Sequence, residues 1–311
     1  MKVGLIGLGK MGQAIAYRLL KDNHTVFAFD PFVNKNEIIK TIYKQDKSIK
    51  EKTLPNFNLE NSLQDVCIKT NIVWIMVPAG KITDKTILEL SNNLQENSIV
   101  IDGGNSFFEN TKKRYQLLKE KNIHFLDCGT SGGVAGKLSG YSLMIGGDKE
   151  IFKKVTPIFK SIAALNGYNY MGPSGAGHYV KMIHNGIEYS LLQSYAEGFD
   201  LLKNNSNYPN LNLEKITDTW QNGSVIRSWI LDLCKNIFSK DQELKNISGS
   251  IEENQTGRWT LDEAKKENIT MKLLQDVLDI RKESRQTGGN YGTKVVAMLR
   301  NQFGGHEIKK D

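Results

Sequence analysis

Cysteine is scarce in this 311-residue chain: Cys67, Cys128 and Cys234 are odd in number, widely spaced and contain no C-x-x-C pair. The pattern argues against both a disulfide framework and a cysteine-built zinc site, and it predicts reduced, buried thiols. Proline is sparse at six residues, and hydrophobic residues make up 39% against 24% charged, which excludes a proline-rich or charge-dominated disordered chain. Long apolar runs are missing too. The longest, Ile72 to Val77, falls far below the roughly 18 residues a bilayer span requires, so no membrane partner is expected. The run from Met1 is interrupted by Gly7, Gly9 and Gly12 with no small-residue cleavage site after an unbroken apolar core. It does not read as a signal peptide, and the chain is expected to be cytoplasmic.

What is present suits a globular chain long enough for two domains. The net charge of +7 comes from dispersed Lys and Arg, with Lys35, Lys40, Lys44, Lys47, Lys50 and Lys52 in one region. A scattered basic excess fits small anionic ligands, and no nucleic-acid partner is predicted from it.

The first half alternates strand and helix patterns. Lys2 to Ile6 reads as a buried strand, Met11 to Leu20 as a helix, and between them stands Gly7-Leu8-Gly9-Lys10-Met11-Gly12. In that setting the glycines serve three different ends. Gly7 makes the tight turn, Gly9 lets a pyrophosphate approach the backbone, and Gly12 allows close helix-to-strand packing. The helix N-terminus then offers N–H groups to the phosphates. The next strand, Thr25 to Phe29, ends at Asp30, 18 residues after Gly12 and close to the spacing at which an acid meets the adenosine ribose. A carboxylate there would repel a 2′-phosphate, so the expected cofactor is NAD in preference to NADP. A turn aspartate before Pro31 is the plainer reading of the same residue.

Residues 34–61 read as a polar helix with a surface loop. Further strands follow at Ile72 to Val77, Ser98 to Ile101, His124 to Asp127 and Tyr141 to Gly147, with a helix from Lys149 to Phe159. Two of them run into polar, glycine-rich turns, Asp102-Gly103-Gly104-Asn105-Ser106 and Gly129-Thr130-Ser131-Gly132-Gly133. Carboxyl ends of parallel strands are where ligands bind in open sheets, and such turns expose N–H groups to anions.

From Gly177 the period becomes helical to the end. We expect a Rossmann-type doubly wound α/β domain over residues 1–176 and an all-helical substrate and dimerisation domain over 177–311. The junction is the predicted long helix from Gly177, where Lys181, His184, Asn185 and Glu188 share one face and set a base candidate beside an acid candidate. Val180, Ile183, Ile187 and Leu191 form an adjoining stripe that can pack inward, so the polar stripe is not the only face available for burial. In isolation the polar face would be an ordinary solvated one; next to a nucleotide domain it is a candidate site, because domain junctions are preferred for ligands.

With these motifs in view, the chain resembles the 6-phosphogluconate dehydrogenases of the β-hydroxyacid dehydrogenase superfamily, in particular its short, NAD-preferring branch. The resemblance runs from Gly7 to His306 and rests on the Gly7 to Gly12 loop, Asp102 to Ser106, Ser131 to Gly133, Lys181 to Tyr189, and Arg300-Asn301-Gln302-Phe303-Gly304-Gly305-His306. It implies oxidation of 6-phosphogluconate at its 3-hydroxyl and loss of CO2 to give ribulose 5-phosphate, a step of the pentose phosphate pathway, with no metal. Carried over residue by residue, it implies Lys181 as general base and Glu188 as the acid that protonates C1. Asn105, Ser131, Gly132, Gly133, His184 and Asn185 match substrate-binding positions; Tyr189, Arg281, Arg300 and His306 match phosphate-binding ones. The Gly7 to Gly12 loop, Asp30, Val77, Ala79 and Asn105 match the cofactor site.

Asn254, before Gly257-Arg258-Trp259-Thr260, departs from the family, where many relatives carry a lysine, and Gln255-Thr256 departs from an acidic pair. The resemblance also implies a homodimer or homotetramer in which Arg300 and His306 serve either their own or a partner chain's site. Two other readings compete: a dehydrogenase of a smaller 3-hydroxyacid, which the phosphate-site cations disfavour, and a non-catalytic NAD sensor, which Lys181 and Glu188 disfavour.

Overall fold

The structure, a computed structural model, describes every residue except Gln45, Lys47, Ser48, Ile49 and Asp311, so the predicted surface role of Lys47 lies outside the described residues. The chain divides into two compact units, Met1–Lys181 and Met182–Asp311.

The first unit is built on one eight-stranded sheet: β1 (Lys2–Ile6), β2 (Thr25–Phe29), β3 (Phe57–Leu59), β4 (Ile72–Ile75), β5 (Ile99–Asp102), β6 (His124–Ser131), β7 (Tyr141–Gly147) and β8 (Ala163–Gly172). Their spatial order is β3-β2-β1-β4-β5-β6-β7-β8, with parallel pairing from β3 through β6, antiparallel pairing of β6 with β7, and parallel pairing of β7 with β8. Side chains alternate faithfully between two cores. Val3, Leu5, Ile72, Trp74, Ile99, Ile101 and Leu126 face one cluster, whereas Ile6, Val73, Ile75, Val100 and Phe125 face the other. Period-two alternation into two apolar layers is why these strands read as continuous hydrophobic runs.

Two strands escape the sequence reading. β3 is a three-residue edge strand within a stretch expected to be helix and loop. β8 is mostly half-buried or exposed, and Asn166, Gly167 and Asn169 interrupt its apolar residues, so no strand pattern stands out. The helix Lys35–Ile42 in that same stretch is as expected.

The second unit holds helices Leu213–Gln221, Trp229–Phe238, Thr256–Lys266, Lys272–Thr287 and Tyr291–Gly304, together with most of Ala176–Lys203, within which the boundary falls. Leu192, Ala196 and Phe199 of the long helix pack with Leu231, Phe238, Val295 and Leu299 in one core, and Tyr189 packs with Leu261, Leu274 and Leu278 in another. Of the apolar stripe available to face inward, Ile183 is half-buried, whereas Val180, Ile187 and Leu191 are 37%, 54% and 46% exposed. The helix instead turns inward the face carrying Lys181, Met182, Asn185, Tyr189 and Leu192, all buried. Burying polar groups is costly, so a face with lysine and asparagine turned inward marks something other than packing. All three cysteines are free and buried. Among the described residues no helix is long and apolar enough to cross a membrane.

Candidate active site

Because β1, β4, β5 and β6 are consecutive and parallel, the turns that leave their carboxyl ends share one edge of the sheet. Gly7 to Gly12 follows β1, Val77 and Ala79 follow β4, Asn105 follows β5, and Ser131 to Gly133 close β6. The glycines of the first turn divide their work. A Cβ on Gly7, at φ +94°, would lie 2.4 Å from the Met76 carbonyl oxygen, and one on Gly12 would lie 2.0 Å from that of Gly7. Both are therefore demanded by packing. Around Gly9 there is nothing within 4 Å, so its bare backbone faces open space. Gly9 is also the N-cap of helix Lys10–Lys21, and no side chain caps that helix end. Open room over uncapped N–H groups fits the pyrophosphate of a dinucleotide. Leu8 is buried, while Lys10 is exposed and Met11 half-buried.

The Asn105 turn is held from beneath. Asp102, fully buried, accepts from the Gly104 N–H at 3.1 Å and the Ser106 hydroxyl at 2.8 Å, and Arg114 reaches it at 3.2 Å. Arg114 also donates to Ser106 Oγ at 2.8 Å and pairs with Asp84. Asn105 itself is exposed between two buried neighbours, so a rigid turn presents a free-standing amide at the strand end.

Lys181 is buried against β6. A Cβ added to Gly129 would lie 2.4 Å from the Lys181 Cβ, so the lysine stem rests on bare backbone two residues before Ser131. Gly132 and Gly133 then take φ +133° and +55°, which an L side chain resists, and turn the chain away from the strand. Within the first unit, the fold therefore brings Lys181 to the same sheet end as Asn105 and Ser131. Gly129 opened a predicted glycine-rich turn but was given no role toward Lys181, and His178, Asp127 and Arg114 were given no role; a histidine one turn before Lys181 and an aspartate at the end of a predicted strand were the available signals.

The second unit gathers the cationic positions. Arg281 is 1% exposed, and its guanidinium carbon lies 3.5 Å from the centroid of the Tyr189 ring. None of its three nitrogens has a hydrogen-bond partner among the described residues. Burial, with Arg300 nearby as a further cause, pushes its pKa from 12.5 down to about 10. Arg300 is lowered as well, chiefly by burial, against the opposing influence of Tyr189 and Glu188. Tyr189 donates its hydroxyl to Asn254 Oδ1, which also accepts from the Thr256 hydroxyl and, at 3.3 Å, from the Thr256 N–H. Asn254 thus orients the tyrosine on which Arg281 rests. His184 Nδ1 lies 3.2 Å from Asn185 Oδ1 and 3.8 Å from Glu188 Oε2. His306 is exposed beyond the Gly305 cap, its carbonyl accepting from the Asn301 amide at 2.8 Å.

Residues 2–172 match the family described as the NAD binding domain of 6-phosphogluconate dehydrogenase, and residues 177–306 match its C-terminal domain. A putative 6-phosphogluconate dehydrogenase of Bacillus subtilis is 38% identical over 310 residues, covering 100% of both chains. An NAD(+)-dependent, decarboxylating 6-phosphogluconate dehydrogenase of Haloferax volcanii is 38% identical over 312 residues, covering 100% of this chain and 99% of that one. Among solved structures, Plasmodium falciparum 6-phosphogluconate dehydrogenase superimposes with a TM-score of 0.80 at 28% identity, over 92% of this chain and 62% of that one. Mycobacterium tuberculosis 3-hydroxyisobutyrate dehydrogenase reaches 0.71 at 18% identity, over 96% and 99%, a likeness of fold alone.

The Plasmodium enzyme is described with NADP+ as its cofactor, which overturns the expectation that NAD is preferred over NADP on the strength of Asp30. The physical reason lies in the turn: Asp30 Oδ2 accepts from the Leu8 N–H at 2.7 Å and Oδ1 from the Phe32 N–H at 2.9 Å. Both oxygens are engaged in shaping the backbone, so the presence of this acid does not report on the ribose substituent.

Proposed function

The chain belongs to the 6-phosphogluconate dehydrogenase family of NAD(P)-dependent oxidoreductases, and from that premise we propose that it oxidatively decarboxylates 6-phospho-D-gluconate to D-ribulose 5-phosphate and CO2. The observation that carries the substrate assignment is Arg281, a buried guanidinium whose nitrogens have no hydrogen-bond partner among the described residues, with Arg300 close enough to depress its pKa further. Holding such a group charged and unsatisfied is costly unless a ligand completes it, and a phosphate offers the acceptor oxygens its planar fork requires. A small hydroxyacid offers no second anion.

The Gly7 to Gly12 loop, with Val77, Ala79 and Asn105 at its edge, would hold a nicotinamide dinucleotide, which when bound would supply the hydride acceptor. Asn105 and the Ser131 to Gly133 turn hold the sugar acid, with His184 and Asn185 from the long helix. Lys181 takes the proton of the C3 hydroxyl as hydride leaves C3, and then, as a cation, holds the oxyanion that develops when the 3-keto acid loses CO2. Glu188 delivers a proton to C1 of the resulting enediol. Tyr189, Arg281, Arg300 and His306 take the phosphate.

We place the enzyme in the cytoplasm, supported by its three free thiols, and read it as a homodimer or homotetramer, supported by the exposed Ile187, Leu191 and Leu201 on one helix face. Sedimentation checks the assembly. Reduced-nicotinamide absorbance and CO2 release, measured with 6-phosphogluconate and with 3-hydroxyisobutyrate in the presence of NAD or NADP, test the reaction. Turnover of 6-phosphogluconate with stoichiometric CO2 is expected. Turnover of hydroxyisobutyrate alone, or none with either dinucleotide, would remove the proposal.

A further inference from the structure

Resting on the reaction proposed above, we infer that His178 is a positioning residue that sets Lys181 against the Asn105 turn, with Asp127 as its anchor. Asp102, the last residue of β5, and Asp127, within β6, are register partners, and both are fully buried. His178, itself buried, lies across the pair. Its backbone N–H donates to Asp127 Oδ2 at 2.9 Å, and the Gly175 N–H donates to the other oxygen at 2.7 Å, so one carboxylate caps the start of the long helix. An acid at this end suits both the orphan N–H groups and the helix dipole.

The ring makes the second connection. His178 Nε2 lies 3.1 Å from the carbonyl oxygen of Asp102, and Nδ1 lies 2.8 Å from the Thr111 hydroxyl. A carbonyl only accepts, so Nε2 carries the hydrogen and the tautomer is set by this contact. His178 stands one helical turn before Lys181, and Asp102 stands three residues before Asn105 in a turn already fastened by Ser106 and Arg114. A single hydrogen bond therefore ties the backbone that presents Asn105 to the helical turn that presents Lys181. Proton abstraction depends on the reacting groups being held to within a fraction of an ångström, and displacement of about 1 Å costs on the order of 100-fold.

The test compares three substitutions at His178 in the full-length enzyme. Leucine removes both ring contacts. Glutamine places an amide N–H near the Nε2 position and keeps the donor to Asp102, whereas asparagine reaches only the Nδ1 position. We expect His178→Leu to lower kcat for 6-phosphogluconate by about 10- to 100-fold while the dinucleotide Kd, read by fluorescence titration, stays within about twofold. His178→Gln should recover to within about fivefold of wild type, and His178→Asn should not. A merely structural histidine would lower the melting temperature without separating glutamine from asparagine in kcat. Should His178→Leu fail to fold, the comparison of glutamine with asparagine decides alone. Equal kcat for those two, or an unchanged kcat in a folded His178→Leu enzyme, overturns the inference. Absence of turnover in the wild-type chain would instead overturn the reaction on which it rests.

Discussion

Replacing Arg281 with methionine should stabilise the ligand-free protein and cripple its use of a phosphorylated substrate. The guanidinium is 1% exposed, and the fall in its pKa from 12.5 to about 10 corresponds to roughly 3 kcal/mol of unfavourable burial of the charged form. Methionine removes that cost, keeps much of the packing, and forfeits a cation–π contact with Tyr189 of about 0.5 to 2 kcal/mol. The net gain is about 1 to 2 kcal/mol, a few degrees in Tm. With substrate, the same change removes a charge-assisted pair of hydrogen bonds, each about 1.5 to 3 kcal/mol, so kcat/KM for 6-phosphogluconate should fall by about 100- to 10,000-fold, mostly through KM. Differential scanning fluorimetry without ligand and steady-state kinetics read the two effects. A lower Tm together with an unchanged KM would refute the reasoning, because Arg281 would then be a satisfied structural residue.

Three further outcomes follow from the geometry. Lys181→Met should lower kcat by about two to four orders of magnitude while leaving dinucleotide binding intact by fluorescence titration; near-normal kcat would remove Lys181 from proton transfer. Gly129→Ala would drive a methyl to 2.4 Å from the Lys181 Cβ, so it should cost about 1 to 3 kcal/mol in denaturant titrations and lower kcat more than KM; wild-type kinetics would show that the lysine is placed by other contacts. Burial, the largest cause, raises the Cys67 thiol from 9.0 to about 11, so between these values the unfolded chain releases its proton and the folded chain keeps it. Stability from this group is full below pH 9 and lost as pH rises towards 11, and Cys67→Ala should flatten that decline in urea midpoints.

Much of the first unit could be read from the chain because its signals are local. Glycines at fixed offsets between an apolar strand and a helix have few alternative explanations, and Gly7 and Gly12 prove to be required by backbone contacts as close as 2.4 and 2.0 Å. β3 and β8 were illegible for the opposite reason: a three-residue edge strand and an edge strand interrupted by Asn166, Gly167 and Asn169 are specified by their neighbours, not by their own pattern. The long helix shows the limit most clearly. Its apolar residues Val180, Ile187 and Leu191 suggested an inward stripe, yet the buried face is the one with Lys181 and Asn185. Periodicity reports that a helix has two faces; which one is covered depends on what packs against it.

The sequence by itself marked the candidates for the chemistry: a glycine turn between strand and helix, a lysine and a glutamate seven residues apart on one helix, and arginines near the end. The first two follow from spacing along the chain, which helix and strand geometry converts directly into a shared face or strand end, whereas the arginines were marked only by the family resemblance. The tertiary structure alone decided which groups support that chemistry. Asp127 capping the long helix, His178 joining it to the Asp102 carbonyl, Gly129 giving Lys181 its room and Asn254 holding Tyr189 beneath Arg281 are contacts between residues distant in sequence. The same holds for Asp30, whose carboxylate looked like a cofactor selector until the fold placed both its oxygens on backbone N–H groups. A side chain's type is written in the sequence, but its partners exist only once the chain has folded.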